Sequence, residues 1–396
     1  MNKRKIFNDP VYGFIRFPFD FLYDIIDHPY VQRLRRISQM GLSHYVYPGA
    51  VHNRFHHALG ALHLMTKAIS TLRDKGIDIT DKEYEAVCSA ILLHDIGHGP
   101  FSHALEGKIV DVHHEALSLA YMHTLNEEFD GRLNLAIKIF QDQHPKKFLH
   151  QLVSSQLDMD RMDYLNRDSF FTGVAEGVIG YDRIITMLNV VNNQLVVEEK
   201  GIYSIEKFLV ARRIMYWQVY LHQASVSAES MLILFYECLK DSQMTVSSEA
   251  LNYFLSEKIS SLNSEVIENH SVIDDFDVLF TIKECAKSSD SVLRFLSKSI
   301  LERKLFRCHV NDKPFDSDFK NNVRQKLTEH YGEVSTDITK LMREGKEEKF
   351  AYDHRDNEIV ILKKDGSTAN FSVSSDFKVE LRNSIKYFLC HPKIKC

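Results

Sequence analysis

The chain has 396 residues, 44% hydrophobic and 26% charged, with a formal net charge of −5, which suits one large soluble domain with an appendage, or two domains. The charge balance gives no general pull toward nucleic acid and leaves room only for local basic pockets. Six scattered cysteines (Cys88, Cys238, Cys285, Cys308, Cys390 and Cys396) without a CxxC pair argue for free thiols in a reducing compartment over a disulfide framework.

No window reaches the ~20 apolar residues of a membrane span. The basic start, residues 1–7, lacks the apolar run of a signal peptide. The terminal Lys-Ile-Lys-Cys is not a prenylation box, because the cysteine is last. The expectation is a cytoplasmic protein without a membrane partner.

Residues 5–17 read as a small hairpin, with turn signals at Asn8-Asp9-Pro10 and Gly13. From Phe19 the pattern becomes helical, with Ile25, Val31, Leu34 and Ile37 on one stripe broken at Pro29. A Tyr-rich loop covers residues 41–49. Asn53 is an N-cap for a long helix over 54–73, and Thr80 or Asp81 caps the next, which runs to His94-Asp95 before Gly97 and Gly99-Pro100 break it. Helices follow near 114–128, 133–140 and 148–166.

Residues 194–205 suggest a hairpin turned at Glu199-Lys200-Gly201, and helical pattern resumes over 206–240 and in pieces to about 307. Beyond 316 a helix over 318–330 precedes strands at 359–363 and 369–373, turned at Asp365-Gly366. The expected fold is mainly α: a helical core over 1–310 with small β-hairpins, and a C-terminal α+β lobe over 311–396.

Fourteen of the 20 histidines lie between His28 and His150. Surface histidines would scatter, so the bias marks a functional cluster. His94 and Asp95 end an apolar helix, where neighbouring side chains point about 100° apart and can grip one ion only from opposite edges. His57 on the preceding helix and Asp160 on a later one complete an N2O2 donor set for one divalent ion, with Fe, Mn, Ni, Co, Zn and Mg all compatible. A lone His-Asp pair would more often be core or surface; the four-part order with the dense His-Gly-Pro loop is what points to a site.

His98, His103 and His114 follow the proposed metal and suit phosphate binding or proton transfer near neutral pH, the plainer alternative being a helix cap or a backbone contact. Arg54, one turn before His57, can reach a phosphate beside the metal; the alternative is a surface salt bridge. Asp160, Asp163, Tyr164, Arg167 and Asp168 share one helix face, suited to sugar contacts and to supporting hydrogen bonds behind the metal, or to an exposed salt-bridged surface. Arg212, Tyr220 and His222 form a further polar set, with Arg213, Tyr216 and Trp217 as competing positions.

Together these residues resemble the HD-domain phosphohydrolase superfamily, and within it the deoxynucleoside triphosphate triphosphohydrolase branch. The resemblance is dense from Lys5 to about His222. It covers Phe7-Asn8-Asp9-Pro10-Val11-Tyr12-Gly13, Gln32-Arg33-Leu34-Arg35, Tyr47-Pro48-Gly49-Ala50, His52-Asn53-Arg54-Phe55, His114-Glu115 and Asp160-Arg161-Met162-Asp163-Tyr164 with Arg167-Asp168. The stretch His94-Asp95-Ile96-Gly97-His98-Gly99-Pro100-Phe101-Ser102-His103 is its most specific part. The C-terminal third matches loosely.

The resemblance implies that His57, His94, Asp95 and Asp160 bind metal. It implies that Arg54, His98, His103 and His114 contact phosphates or relay protons, with His103 the general acid. Gln39 and Asp168 would meet the sugar 3′-hydroxyl, and Tyr164, Arg212, Tyr220 and His222 would line the nucleotide pocket. The implied reaction is hydrolysis of dGTP, or of dNTPs generally, at the α-phosphorus, releasing deoxynucleoside and tripolyphosphate. The alternatives are an HD phosphohydrolase or phosphodiesterase on another nucleotide phosphoester, and a nucleotide-binding module with little catalysis.

Some family members are switched on by a nucleotide at a subunit interface. Lys5, Asp27, Gln32 and Arg35, with Arg303 and Arg307 for phosphate, resemble such a site for GTP or dGTP, ordinary surface charge being the alternative. Glu199 and Gly201 stand where basic residues of a second regulatory nucleotide would be sought, and no sterile-alpha-motif domain is expected ahead of the core. A homo-oligomer, dimer or tetramer, is expected by analogy.

Overall fold

Asp9 closes the first hairpin: its Oδ1 accepts the backbone N–H of Val11 and of Tyr12, both at 2.9 Å. This turns β1 (Phe7–Asp9) back onto β2 (Gly13–Ile15) in antiparallel register. The computed structural model describes residues 5–256, 259, 261–332, 338, 341–349, 358–375 and 384–394. The basic residues 1–4 and Cys396 lie outside the described residues.

Pro29 splits the next stretch into α1 (Asp20–Asp27) and α2 (Pro29–Arg33), with His28 between them accepting the Tyr30 N–H on its ring. Asn53 caps α3 (Arg54–Asp74) in a reciprocal box with His56, and Thr80 caps α4 (Asp81–Leu93) in a box with Glu83; each such cap stabilises a helix by roughly 1 kcal/mol. Helix α3 is buried on nearly every side, from Phe55 and Ala58 through Met65 to Leu72, as befits the central helix of an all-α core. It packs on α4 and on α8 (Met159–Thr172), which follows α5 (His114–Glu128), α6 (Asn134–Phe140) and α7 (Lys147–Val153).

Gly60 explains how closely α3 and α8 approach. A Cβ there would stand 2.0 Å from Asp163 Oδ1 and 2.1 Å from an Arg167 nitrogen, so this position accepts no side chain.

The expected single helix over 148–166 is two, α7 and α8. Asp158 interrupts it: its carboxylate takes the Ser155 N–H at 2.8 Å and the Arg161 N–H at 2.7 Å, ending one helix and capping the next. After α9 (Tyr181–Thr186) comes a hairpin placed earlier than expected. Strands β3 (Leu188–Val191) and β4 (Gln194–Glu198) turn at Asn192-Asn193, whose φ values of 49° and 65° suit a two-residue turn. Residues Glu199–Gly201 are a 3-10 turn that leads into α10 (Ile202–Met215). The helical stretch expected over 206–240 is broken too. A π-helical segment, Tyr216–Tyr220, follows α10, and His222 then caps α11 (Gln223–Ser242).

Helices α12 (Glu249–Ser256), α13 (Ser264–Val272), α14 (Asp275–Cys285) and α15 (Ser291–Leu301) complete the helical part. The position where the sequence divides the chain, 310/311, falls inside β5 (Arg307–Asn311). After α16 (Ser317–Tyr331) come β6 (Arg343–Lys349), β7 (Val360–Leu362), β8 (Thr368–Asn370), a helical turn α17 (Phe371–Ser374) and β9 (Ser384–His391). The strand expected over 369–373 thus gives way at Phe371 to a helical turn. Strand β7 adds in parallel to β4, and β9 pairs antiparallel with both β5 and β6. The C-terminal strands thereby join two sheets begun by the helical part. Among the described residues no helix is long and apolar enough to cross a membrane.

Candidate metal centre and active site

Helices α3, α4 and α8 each bring a donor to one point. His57 Nε2 lies 3.1 Å from Asp160 Oδ1, 3.4 Å from His94 Nε2 and 3.7 Å from Asp95 Oδ2. His94 Nε2 lies 3.5 Å from Asp160 Oδ1 and 3.4 Å from Asp95 Oδ1. His57, His94 and Asp160 form one mutually close group, and Asp95 borders it.

The second ring nitrogens decide what this cluster can hold. His57 Nδ1 donates to Asp163 Oδ2 at 2.7 Å, and His94 Nδ1 donates to the Ile91 carbonyl at 2.6 Å. In the neutral tautomers both Nε2 atoms therefore present lone pairs, converging with two carboxylates. Four acceptors aimed at one point fit a divalent cation of borderline or hard character. Burial alone would lower the pKa of His57, but the Asp160 and Asp163 carboxylates lift it to about 10. The negative field that holds this proton is the one a cation would neutralise.

Beside the metal ligands stand the other histidines. The His98 and His114 rings stack at 3.9 Å, with His103 edge-on to His98 at 5.0 Å. Glu106 joins them: it accepts from His103 Nδ1 at 3.0 Å, from His114 Nδ1 at 2.6 Å and from the His114 backbone N–H at 3.0 Å. Burial would raise Glu106, yet these hydrogen bonds hold it far below the usual carboxylate range. With His98 these side chains form a second group able to hold a cation, although Glu106 already gives its oxygens to the two imidazoles. Burial, reinforced by the Arg54 charge, keeps His98 well below the ordinary histidine pKa and hence neutral at pH 7. The His103 side chain is exposed.

Arg54 is buried and engaged: it ion-pairs with Asp95, and its Nε donates to Ser102 Oγ at 2.7 Å. Asp168 is held at both oxygens, by His52 Nε2 at 2.6 Å and by the Tyr220 hydroxyl at 2.7 Å. Burial, together with Asp168, keeps the Tyr220 phenol protonated by raising its pKa well above the ordinary value. The Tyr164 ring lies 6.4 Å from that of Tyr220. Arg212 donates to Gln156 Oε1 at 3.1 Å. Arg212 Nε and Gln39 Oε1 are buried without a hydrogen-bond partner among the described residues, so both retain unused capacity for a ligand.

His222 stands apart from this set. It lines an open groove together with Arg303, Arg307, His309 and Lys393. Of the candidate regulatory residues, Lys5 ion-pairs with Asp27, Gln32 Oε1 accepts from Arg35 at 2.8 Å, and Arg35 covers the Phe55 ring. Arg303 instead donates to the Tyr45 carbonyl at 2.7 Å. Among the described residues no hydrogen bond or ion pair joins Arg303 or Arg307 to the other four.

Sequence reasoning missed several supports. Glu106 is three residues after His103, a spacing that brings both to one side of a turn, and that was its available signal. Arg33 is fully buried and donates to the carbonyls of Ile96 at 3.1 Å, His98 at 2.9 Å and Ile273 at 3.1 Å. Asp275, 174 residues beyond Phe101, accepts the Phe101 N–H at 2.7 Å and the Ser38 N–H at 2.8 Å. Phe101 and Ser102 both take positive φ, 53° and 51°, and these contacts hold that uncommon backbone in place.

A family model described as an HD associated region matches residues 179–342. The crystal structure of a phosphohydrolase from Bacteroides thetaiotaomicron superposes with a TM-score of 0.94 at 47% identity, covering 99% of this chain and 100% of that one. An uncharacterized protein of Bacillus subtilis, YwfO, is 30% identical over 316 residues, 78% of this chain and 72% of its own length. The deoxynucleoside triphosphate triphosphohydrolase SAMHD1 homolog of Dictyostelium discoideum is 33% identical over 248 residues, 58% of this chain and 48% of its own. The chain thus spans about half the length of that relative. With the donor cluster and its histidine neighbours, these likenesses make the chain a member of the HD-domain phosphohydrolases, a hydrolase of the branch resembling the deoxynucleoside triphosphate triphosphohydrolases.

Proposed function

We propose that this protein hydrolyses deoxynucleoside triphosphates, dGTP or dNTPs generally, to deoxynucleoside and tripolyphosphate. The observation that carries the reading is the sharing of α8 between two kinds of side chain. Asp160 faces the metal-ligand cluster, while Tyr164 and Asp168, one and two turns on, face Tyr220 and His52. A phosphate-processing centre and a carboxylate suited to a sugar hydroxyl are thus on one rigid element.

His57, His94, Asp95 and Asp160 would hold the divalent ion. Bound there, it supplies Lewis-acid chemistry, lowering the pKa of coordinated water and neutralising phosphoryl charge. Glu106, accepting the Nδ1 proton of His103, favours the doubly protonated imidazolium, whose Nε2–H is the proton that passes to the leaving oxygen and leaves the ring neutral. Asp168 and Gln39 orient the 3′-hydroxyl, and Arg212 meets the nucleotide with its unused Nε–H. GTP or dGTP at Lys5, Asp27, Gln32 and Arg35, with Arg303 and Arg307 for phosphate, is the proposed activator of a homo-oligomer.

The test is incubation of the purified protein with each dNTP, with and without GTP, in Mn2+ or Mg2+, with products separated by anion exchange. Deoxynucleoside plus tripolyphosphate is the expected result. Release of orthophosphate or pyrophosphate, or turnover only of another nucleotide phosphoester, would replace this reading with the broader phosphohydrolase one. Nucleotide binding without turnover after metal loading would leave a binding module.

A further inference from the structure

Asp9 is a buried carboxylate on the N-terminal hairpin, 7% exposed. One of its oxygens is used up locally by the Val11 and Tyr12 N–H groups. The other accepts from Arg167 NH1 at 2.8 Å. Arg167, also fully buried, turns its remaining edge to Asp163, donating from Nε at 2.9 Å and from NH2 at 3.0 Å. Asp163 Oδ2 in turn accepts the Nδ1 proton of His57 at 2.7 Å. The other nitrogen of that ring faces the metal-ligand cluster.

We propose that Asp9 is a positioning residue for the metal centre, acting on His57 through Arg167 and Asp163. The inference rests on the metal-site part of the reading above and not on the nucleotide. Two physical arguments support it. Asp163 already holds the guanidinium at two points, and a second carboxylate on Nη1 anchors the far side of that fork to the N-terminal hairpin, which fixes where the fork stands and the direction Asp163 faces. The charge balance also matters: Asp9, Arg167 and Asp163 sum to one negative charge behind Nδ1, which makes Nε2 a stronger donor to a cation. Without Asp9, the Arg167–Asp163 pair would be neutral and without its anchor on the hairpin.

The Asp9→Asn variant tests this. It keeps the size and the Oδ1 acceptor for Val11 and Tyr12 while removing the charge facing Arg167. The readout is titration with Co2+ alone, followed by the visible spectrum of the bound ion, with no substrate present. The expected result is about 10-fold weaker Co2+ binding, with helical circular dichroism close to that of the parent and a Tm lowered by the loss of a buried ion pair. In an Asp163→Asn background, adding Asp9→Asn changes the affinity by less than about twofold. Should Asp9→Asn not fold cooperatively, Arg167→Lys, which keeps the charge but cannot span both carboxylates, takes its place and should weaken Co2+ similarly. Parent-like affinity in a folded variant, or equal weakening in both backgrounds, overturns the proposal. Because no nucleotide is present, failure of the dNTP assignment leaves this result standing.

Discussion

Arg54 and Asp95 form an ion pair closed to solvent on both sides, the two side chains being 2% and 10% exposed. Asp95 therefore has two duties: it borders the metal-ligand cluster, and it is the counter-charge of a buried guanidinium.

That double duty separates two variants. Both His57→Ala and Asp95→Ala should abolish turnover and lose bound metal, read by plasma mass spectrometry of the dialysed protein. Asp95→Ala also strands Arg54 and should lower stability by about 3–5 kcal/mol, whereas Asp95→Asn should cost less by keeping a hydrogen-bond acceptor. Full activity in any of the three would remove Asp95 or His57 from the metal site.

His103 is exposed and its loss opens no cavity. His103→Ala should lower kcat by about 100-fold to 10,000-fold while metal content and Tm stay at parent values. Glu106→Gln should fall between parent and His103→Ala, since the amide still accepts from one imidazole. A His103→Ala enzyme with parent kcat would move the proton transfer elsewhere.

Tyr220→Phe removes the donor at Asp168 Oδ2 and leaves a buried carboxylate oxygen unpaired, worth about 1–3 kcal/mol. The expected effect on dNTP hydrolysis is a KM raised by about 10-fold or more with a smaller change in kcat. An unchanged KM would mean that Asp168 does not read the sugar.

Burial pushes the Asp275 carboxyl up to about 6, against the opposing hydrogen bonds from Ser38 and Phe101. Between about pH 4 and 6 the folded chain then binds more protons at this site than the unfolded chain. The corresponding stability is fully present below about pH 4 and is lost as pH rises through 6, a difference on the order of 2–3 kcal/mol. Urea unfolding at intervals across that range should show a shallower decline for Asp275→Asn than for the parent. Parallel curves would contradict the raised pKa.

The helices that carry the metal-binding residue types were legible because each starts on a local signal: Asn53 before α3 and Thr80 before α4. The boundaries that were missed turn on local side-chain and backbone geometry that carries no hydrophobic pattern. Asp158 ends one helix and starts another with one carboxylate, which periodicity does not register. The Asn192-Asn193 turn was overlooked for the more familiar Glu199-Lys200-Gly201, although both asparagines take the left-handed backbone that such turns require. Around the site, residue type named the groups that face the cluster, whereas Arg33 and Asp275 behind it were silent. Their roles come from partners up to 240 residues away, and only the fold brings those partners near.

Gly60 lies one turn after His57, at the place where α3 and α8 touch. Its missing side chain makes the room that the buried Asp163–Arg167 pair occupies against α3. A methyl group there would have to displace the Asp163 carboxylate, which accepts the Nδ1 proton of the metal-facing His57. The orientation of a metal-facing imidazole thereby depends on a residue that has no side chain of its own.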